Sequence, residues 1–146
     1  MWTTQETAVT TLPRDRVWEA VRDLHTGTLS YDGADRFELH GPFAVGTELT
    51  VTPAGQDPIR SRIDVLEEGR VYADVTDVGD VRLTFRYDLE DDAAGTLVRY
   101  SLTIDGAAAD AVAPELGPQI SADFPESLAA LLAEAERRAE QSRLDA

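Results

Sequence analysis

The chain between residues 81 and 89 reads VRLTFRYDL, in which every second side chain is apolar or aromatic. These side chains are Val81, Leu83, Phe85, Tyr87 and Leu89, and they alternate with Arg82, Thr84, Arg86 and Asp88. A period of two residues is that of a β-strand with one buried face and one solvated face. Such strands form antiparallel sheets, because strands of a parallel sheet are buried on both faces and read as continuous apolar runs.

Shorter alternating segments lie on both sides of this strand. Residues 98–104 follow it, and residues 35–40, 47–52, 59–65 and 71–78 precede it. The alternation predicts that these further side chains face inward: Phe37, Leu39, Thr47, Leu49, Val51, Ile59, Ser61, Ile63, Val65, Val98, Tyr100, Leu102 and Ile104. The pattern of residues 71–78 is weak and leaves the faces of Tyr72 and Asp74 open. An opening strand over residues 2–11 places Gln5, Thr7 and Val9 on one face, which we take as the inner one.

Two helices complete the pattern. The first begins at Pro13, which suits a first helical turn, and its apolar stripe includes Val17 and Leu24. The second covers roughly residues 119–142, and its apolar face consists of Ile120, Phe124, Leu128, Leu131, Leu132 and Ala135. Asp123 and Glu126 have capping-box spacing, so this helix either begins near Asp123 or bends at Pro125. Residues 106–118 form either a helical turn or a linker.

The long C-terminal helix is the only element able to fill the concave face of a curved sheet. We therefore expect one α+β domain over residues 1–146, with six or seven antiparallel strands wrapped around this helix. A cavity between sheet and helix is usual in such an arrangement, and it indicates a small-molecule ligand.

The charge excludes several classes of partner. The 146 residues carry a formal net charge of -15, all 13 basic residues other than histidine are Arg, and there is no Cys. Disulfides and zinc–thiolate sites are thus excluded. Because nucleic acids and anionic membranes repel such a surface, we expect neither as a partner.

The N-terminus lacks the basic region of a signal peptide, which predicts a cytoplasmic location. The composition is typical of a GC-rich bacterium, either actinobacterial or halophilic.

Four motifs in this order resemble the polyketide cyclase/dehydrase branch of the START-like, or SRPBCC, superfamily. They are Pro13-x-x-x-Val17-Trp18, the hairpin from Gly41 to Thr47, the strand start from Gly95 to Val98, and Leu-Ala-Ala-Leu-Leu over residues 128–132. The resemblance implies the helix-grip fold with a deep ligand cavity. Many relatives carry a Trp after the first helix, whereas here Tyr31 is the nearest aromatic residue.

This resemblance implies that the protein binds a small hydrophobic, oxygenated molecule. Several functions stay open, because members include aromatase/cyclases, lipid carriers and hormone receptors. We slightly favour an enzyme of secondary metabolism, a polyketide cyclase or dehydratase that needs no metal or organic cofactor. The alternatives are a non-catalytic small-molecule or lipid carrier, and a co-chaperone-like interaction module.

Tyr87 is the best candidate for a catalytic residue, because it lies mid-strand on an otherwise apolar face and its phenol can donate to a ligand carbonyl. The predicted ligand contacts are Gln5, Thr7, Tyr31, Phe43, Thr47, Ser61, Phe85, Tyr100 and Phe124. The two histidines have no metal-ligand spacing, so no metal site is expected. His25 suits a cation at the end of the first helix, and His40 faces outward.

Two further arginines, Arg60 and Arg62, face outward by the alternation, unless the register slips at Asp57-Pro58. The outer strand faces are polar, which predicts a monomer or weak homodimer. Leu29, Tyr31, Phe43 and Val45 lie in or beside turns, and we expect them to surround the cavity mouth; a homodimer interface is the alternative.

Overall fold

A computed structural model describes residues 1–145. Over these residues the chain forms seven strands and three helices, with the following bounds: β1 Trp2–Thr10, α1 Arg14–Thr26, β2 Arg36–Leu39, β3 Glu48–Thr52, β4 Ile59–Glu67, β5 Val71–Val78, β6 Val81–Asp92, β7 Gly95–Asp105, α2 Ala109–Ser121 and α3 Phe124–Leu144.

All seven strands belong to one antiparallel sheet with the order β1-β7-β6-β5-β4-β3-β2. Strands β2 to β7 form a continuous meander, and β1 pairs with β7, so the first and last strands of the chain are neighbours. The predicted α+β fold, with six or seven antiparallel strands against a long C-terminal helix, is confirmed, and the sheet has seven strands.

A bulge in β4 changes which side chains reach the core. The pairing with β5 shifts between Ile63 and Val65, and beyond the shift Leu66 lies opposite Tyr72. Leu66 then packs against the core. The predicted inward orientation of Val65 is therefore wrong, because a bulge adds one residue and exchanges the faces of the strand beyond it.

The C-terminal region is a bent pair of helices. Most of residues 106–118, for which the sequence allows a helical turn or a linker, lie in α2, which contains Pro114 and Pro118. The regular helix α3 then begins at Phe124 with Pro125 in its first turn. Asp123 occupies the N-cap position, but its side chain makes no capping hydrogen bond.

The core lies between these helices and the concave face of the sheet. One cluster joins α1 and α3 to the middle strands through Val17, Val21, Leu49, Ile63 and Leu131. A second cluster packs α2 and the start of α3 against the ends of β6 and β7. A pocket opens beside the first cluster, between the C-terminal end of α1 and the beginning of α3.

Candidate functional site

Two adjoining pockets lie between the sheet and the helices, and we refer to them as the outer and inner lobes of one candidate cavity. The outer lobe, of about 260 Å³, lies between the segment that follows α1 and the first turns of α3. The inner lobe, of about 90 Å³, lies deeper against β3 to β6. His25, Asp35, Phe37, Tyr87 and Tyr100 line both lobes. Ligand sites usually start at about 300 Å³, and a cavity of about 150 Å³ holds benzene, so this space suits one or two rings.

His25 is held in the wall of the cavity by the end of α1. Gly27 adopts a φ of 82° and ends the helix, and the Thr28 amide donates to the Asp23 carbonyl at 3.0 Å. The His25 Nδ1 lies 2.6 Å from the Val21 carbonyl oxygen. Because a carbonyl only accepts, Nδ1 carries the proton and Nε2 is an acceptor.

His25 is neutral rather than a cation at the helix end. Its side chain is buried, with 3% exposed, and burial lowers its pKa to about 4. The ring stacks on Tyr72 with centroids 3.9 Å apart and meets Phe37 edge-on at 4.6 Å. Every fully enclosed polar side-chain atom within residues 1–145 has a hydrogen-bond partner. His25 Nε2 has no partner in the described chain, so this atom opens onto the cavity.

Asp74 is a buried carboxylic acid at the inner lobe. It is 4% exposed, and the Tyr72 hydroxyl donates to its Oδ2 at 2.8 Å. Burial raises the pKa of Asp74 to about 7, and the hydrogen bond from Tyr72 offsets part of this rise. The Oδ1 atom makes no hydrogen bond within residues 1–145. Since every fully enclosed polar side-chain atom within residues 1–145 has a partner, the unpartnered Oδ1 is accessible from the cavity.

Tyr87 and Tyr100 form an aromatic stack through the shared wall of the two lobes. Their rings lie 4.3 Å apart and nearly parallel, and Phe124 stacks on the other face of Tyr100 at 4.1 Å. Burial raises the pKa of Tyr87 well above its usual value, and the neighbouring Tyr100 raises it further. The Tyr87 hydroxyl therefore stays protonated and can donate to a ligand oxygen.

Five of the predicted site residues line the cavity. They are Tyr31, Ser61, Phe85, Tyr87 and Tyr100. The Ser61 hydroxyl is 2.6 Å from that of Thr76, and this pair closes the inner lobe. Phe124 lies behind Tyr100, and Phe43 lies behind Tyr72 with ring centroids 6.0 Å apart, so both support the wall without lining it.

Three predicted site residues lie elsewhere. Gln5 and Thr7 are exposed on the outer face, since they pair with Ser101 and Arg99 of β7. Their predicted inward orientation is wrong, because both faces of β1 are largely polar and only the pairing with β7 decides which one is inner. The Thr47 hydroxyl donates to the Pro42 carbonyl at 2.7 Å and thereby stabilises the turn before β3.

The remaining polar candidates face outward, as predicted. Arg60 pairs with Glu48 at 3.0 Å, and Arg62 lies 3.9 Å from Asp77. His40 Nε2 contacts the Thr50 hydroxyl at 2.7 Å. The register slip that would turn the two arginines into the cavity does not occur.

The mouth of the outer lobe is acidic. Asp32 and Asp35 lie between α1 and β2, and Asp123 and Glu126 lie at the start of α3; all four line the lobe. Asp35 is an exposed residue, but partial desolvation of its carboxyl beside the lobe raises the pKa of this group, and the charge of Asp123 raises it further. Among the residues that line the two lobes there is no Arg.

No group of three or more His, Asp or Glu side chains within residues 1–145 is arranged to hold a metal ion. The helices in this part of the chain are all too short or too polar to cross a bilayer.

The sequence matches a protein-family model, and the fold matches solved structures. The model, described as "Polyketide cyclase / dehydrase and lipid transport", matches residues 1–136. The Zhui aromatase/cyclase from Streptomyces sp. R1128 is 20% identical with a TM-score of 0.68, over 94% of this chain and 95% of that one. Protein MLL2253 from Mesorhizobium loti is 17% identical with a TM-score of 0.65, over 91% and 98%.

A third structure contains two domains. The di-domain ARO/CYC StfQ from the steffimycin biosynthetic pathway is 16% identical with a TM-score of 0.68, over 94% of this chain and 51% of StfQ. No curated protein sequence gives a significant match. At these identities the solved structures show a shared fold.

Proposed function

Because the chain belongs to the polyketide cyclase/dehydrase and lipid transport family, we propose that it binds a small hydrophobic, oxygenated molecule in the two-lobed cavity. One observation carries this proposal. His25 Nε2 and Asp74 Oδ1 are polar atoms of buried side chains, and neither has a hydrogen-bond partner within residues 1–145. Since buried polar groups are normally satisfied, these atoms are suited to a ligand.

The polar groups define how the ligand is oriented. Tyr87 donates a hydrogen bond, and the neutral His25 accepts one through Nε2. Their rings lie 5.6 Å apart in an edge-to-face arrangement, so one ligand hydroxyl group can accept from Tyr87 and donate to His25, whereas a ligand carbonyl can bond only to Tyr87. The aromatic walls bury the rest of the molecule. The volume favours a compact molecule of one or two rings over an extended chain.

Blocking the cavity tests the binding proposal. Ala130 lines the outer lobe, whereas the adjacent Ala129 is exposed to solvent. We expect the wild type to bind β-naphthol, Ala130→Phe to bind it at least about tenfold more weakly, and Ala129→Phe to match the wild type. Calorimetric titration measures the three dissociation constants. The absence of saturable binding, or equal losses in both variants, would contradict the proposal.

Catalysis is the second candidate, and the unprotonated Nε2 of His25 favours it. With the substrate carbonyl held by Tyr87, His25 would take a proton from the adjacent carbon, and the resulting enolate carbon would attack a second carbonyl of the same molecule. The imidazolium of His25 returns its proton to the attacked oxygen, which becomes a hydroxyl group. His25 then removes a second proton from the same enolate-forming carbon, a C=C bond forms, and the hydroxyl group leaves with this proton as water. This sequence amounts to an aldol closure and dehydration.

Hydrogen exchange separates enzyme from carrier without a known substrate. In D₂O, an enzyme of this kind should exchange the protons beside the carbonyl of bound β-tetralone faster than buffer does. The exchange, followed by NMR, should fall to the buffer rate in His25→Gln. A carrier would bind β-tetralone and leave its exchange rate unchanged.

A further inference from the structure

The four mouth carboxylates have no positive partner in the described chain. Asp32, Asp35, Asp123 and Glu126 take part in no ion pair within residues 1–145, although eleven of the thirteen arginines do so elsewhere. Asp123 and Glu126 lie at the start of α3, where the helix dipole favours negative charge. No such effect accounts for Asp35, which lines both lobes.

The mouth is therefore a region of uncompensated negative charge. Asp35 and Asp123 come from different elements, yet the charge of Asp123 makes Asp35 harder to ionise and raises its pKa. A positive charge placed between them would relieve this repulsion. An anionic ligand, such as a carboxylate or a phosphate ester, would add to it.

The wall beyond these carboxylates is aromatic. Tyr31, Phe37, Tyr87 and Tyr100 line the outer lobe together with the neutral ring of His25. Organic ammonium groups bind where aromatic faces and negative charge meet. A metal ion does not fit equally well, since no cluster of three or more candidate ligands with suitable geometry occurs within residues 1–145.

We propose that the cavity is selective for a monocationic aromatic amine, whose ring lies between the aromatic walls and whose ammonium group lies at the mouth beside Asp35 and Asp123. This inference rests on the proposed function, because it assumes that the cavity binds a ligand. The inference specifies the charge of that ligand, which the cavity shape and the buried polar atoms do not determine. His25 Nε2 and Asp74 Oδ1 remain available to the polar group of the same ligand.

Three phenols of similar shape test the charge. Tyramine is a cation, tyrosol carries a neutral hydroxyl at the same position, and hydroxyphenylacetate is an anion. We expect tyramine to bind about tenfold more tightly than tyrosol in NMR titrations, which is the size of one partly desolvated cation contact, and the anion to bind most weakly. Raising NaCl from about 50 to about 500 mM should weaken tyramine binding and leave tyrosol unaffected.

Two double variants separate the effect of the mouth carboxylates on tyramine binding from the effect of the net charge of the protein. Asp35→Asn with Asp123→Asn should bring tyramine down to about the affinity of tyrosol, and the loss of affinity should be much larger for tyramine than for tyrosol. The control, Glu68→Gln with Asp80→Asn, removes two exposed carboxylates in strand turns outside both lobes. We expect this control to keep the preference for tyramine.

The outcomes distinguish this inference from the proposed function. If tyrosol and β-naphthol bind but tyramine binds no more tightly than tyrosol, the charge selectivity is wrong and the binding function stands. If the control lowers tyramine affinity as much as the mouth variant does, net charge explains the preference, which overturns the inference. If none of the probes binds, both proposals fail.

Discussion

The carboxyl group of Asp74 costs the folded protein stability, and the cost depends on pH. Its pKa rises from 3.8 to about 7 on folding, so between these values the folded state holds a proton that the unfolded chain has released. The free energy of unfolding therefore falls as pH rises through this window, by ~1.4 kcal/mol per unit, and the full cost remains above it. We expect Asp74→Asn, which keeps an acceptor for Tyr72, to remove this cost.

Urea unfolding of both proteins from about pH 4.5 to 8.5 measures the effect. The stability difference in favour of Asp74→Asn should grow with pH and level off above about pH 7. His25 contributes in the opposite sense, since its lowered pKa makes the folded state lose stability as pH falls from 6.5 towards about 4. It is present in both proteins and cancels in the difference. A difference independent of pH would show that Asp74 does not titrate there.

The position of Asp74 could have been predicted from the sequence, and that of Gln5 could not. Gly79 and Asp80 form a two-residue turn that pairs Val78 with Val81, and counting outward from it places Asp74 opposite the inward Phe85. The alternation of residues 71–78 does not reveal which face is buried, because the inner face carries the polar side chains of Tyr72, Asp74 and Thr76. Gln5 belongs to a strand whose partner is distant in sequence, so no local register could decide its face.

Gly27 connects the end of α1 to the cavity wall. With a φ of 82°, its position disfavours other residues, and a Cβ there would lie 2.6 Å from the Phe37 carbonyl oxygen. We expect Gly27→Ala to lower the free energy of unfolding by ~2–4 kcal/mol, since left-handed backbone and steric overlap each cost ~1–2 kcal/mol. Urea unfolding at neutral pH is the measurement.

Gly33 provides the matched control within the same connection. Its φ is 85°, but a Cβ there would meet nothing within 4 Å. Gly33→Ala should therefore cost only the backbone part, ~1–2 kcal/mol. Equal losses in unfolding free energy would show that the Phe37 carbonyl moves away from the added methyl group, so that steric overlap at residue 27 costs nothing.

The elements differ in how well the sequence defines them. The alternation in residues 81–89 and the apolar stripe of α3 each repeat over many residues, so β6 and the long helix could be predicted. The helix α2 contains Pro114 and Pro118 and has only three buried residues, Ala109, Ala113 and Gly117. Its stability comes from packing against β1 and β7, which a local pattern does not contain.

The net charge of -15 should make the whole molecule sensitive to salt. Its ion pairs lie mainly at the surface, where each contributes little, whereas repulsion among the excess carboxylates acts on the entire fold. We expect Tm to rise by ~2–4 °C between about 50 mM and 1 M NaCl, the shift that corresponds to about 1 kcal/mol for a chain of this size. Differential scanning calorimetry measures it.

A variant that combines Glu68→Gln with Asp80→Asn tests whether charge repulsion causes the salt dependence of Tm. Removing two of the excess charges should raise Tm at low salt and have less effect at high salt. A wild-type Tm that falls with added NaCl would show that attractive ion pairs outweigh the repulsion. Light scattering on the same samples tests the predicted monomer or weak homodimer.

The pairing of β1 with β7 has a consequence for biosynthesis. The strand made first must wait for a partner that is roughly 90 residues further along the chain, whereas each of the other strands has a neighbour next to it in sequence. At about 5–20 residues per second, this delay on the ribosome is on the order of ten seconds. During that time the meander can begin to assemble, and the nascent N-terminal strand remains an unpaired segment. Pairing of β1 with β7 is thus the strand pairing with the greatest entropic cost of loop closure.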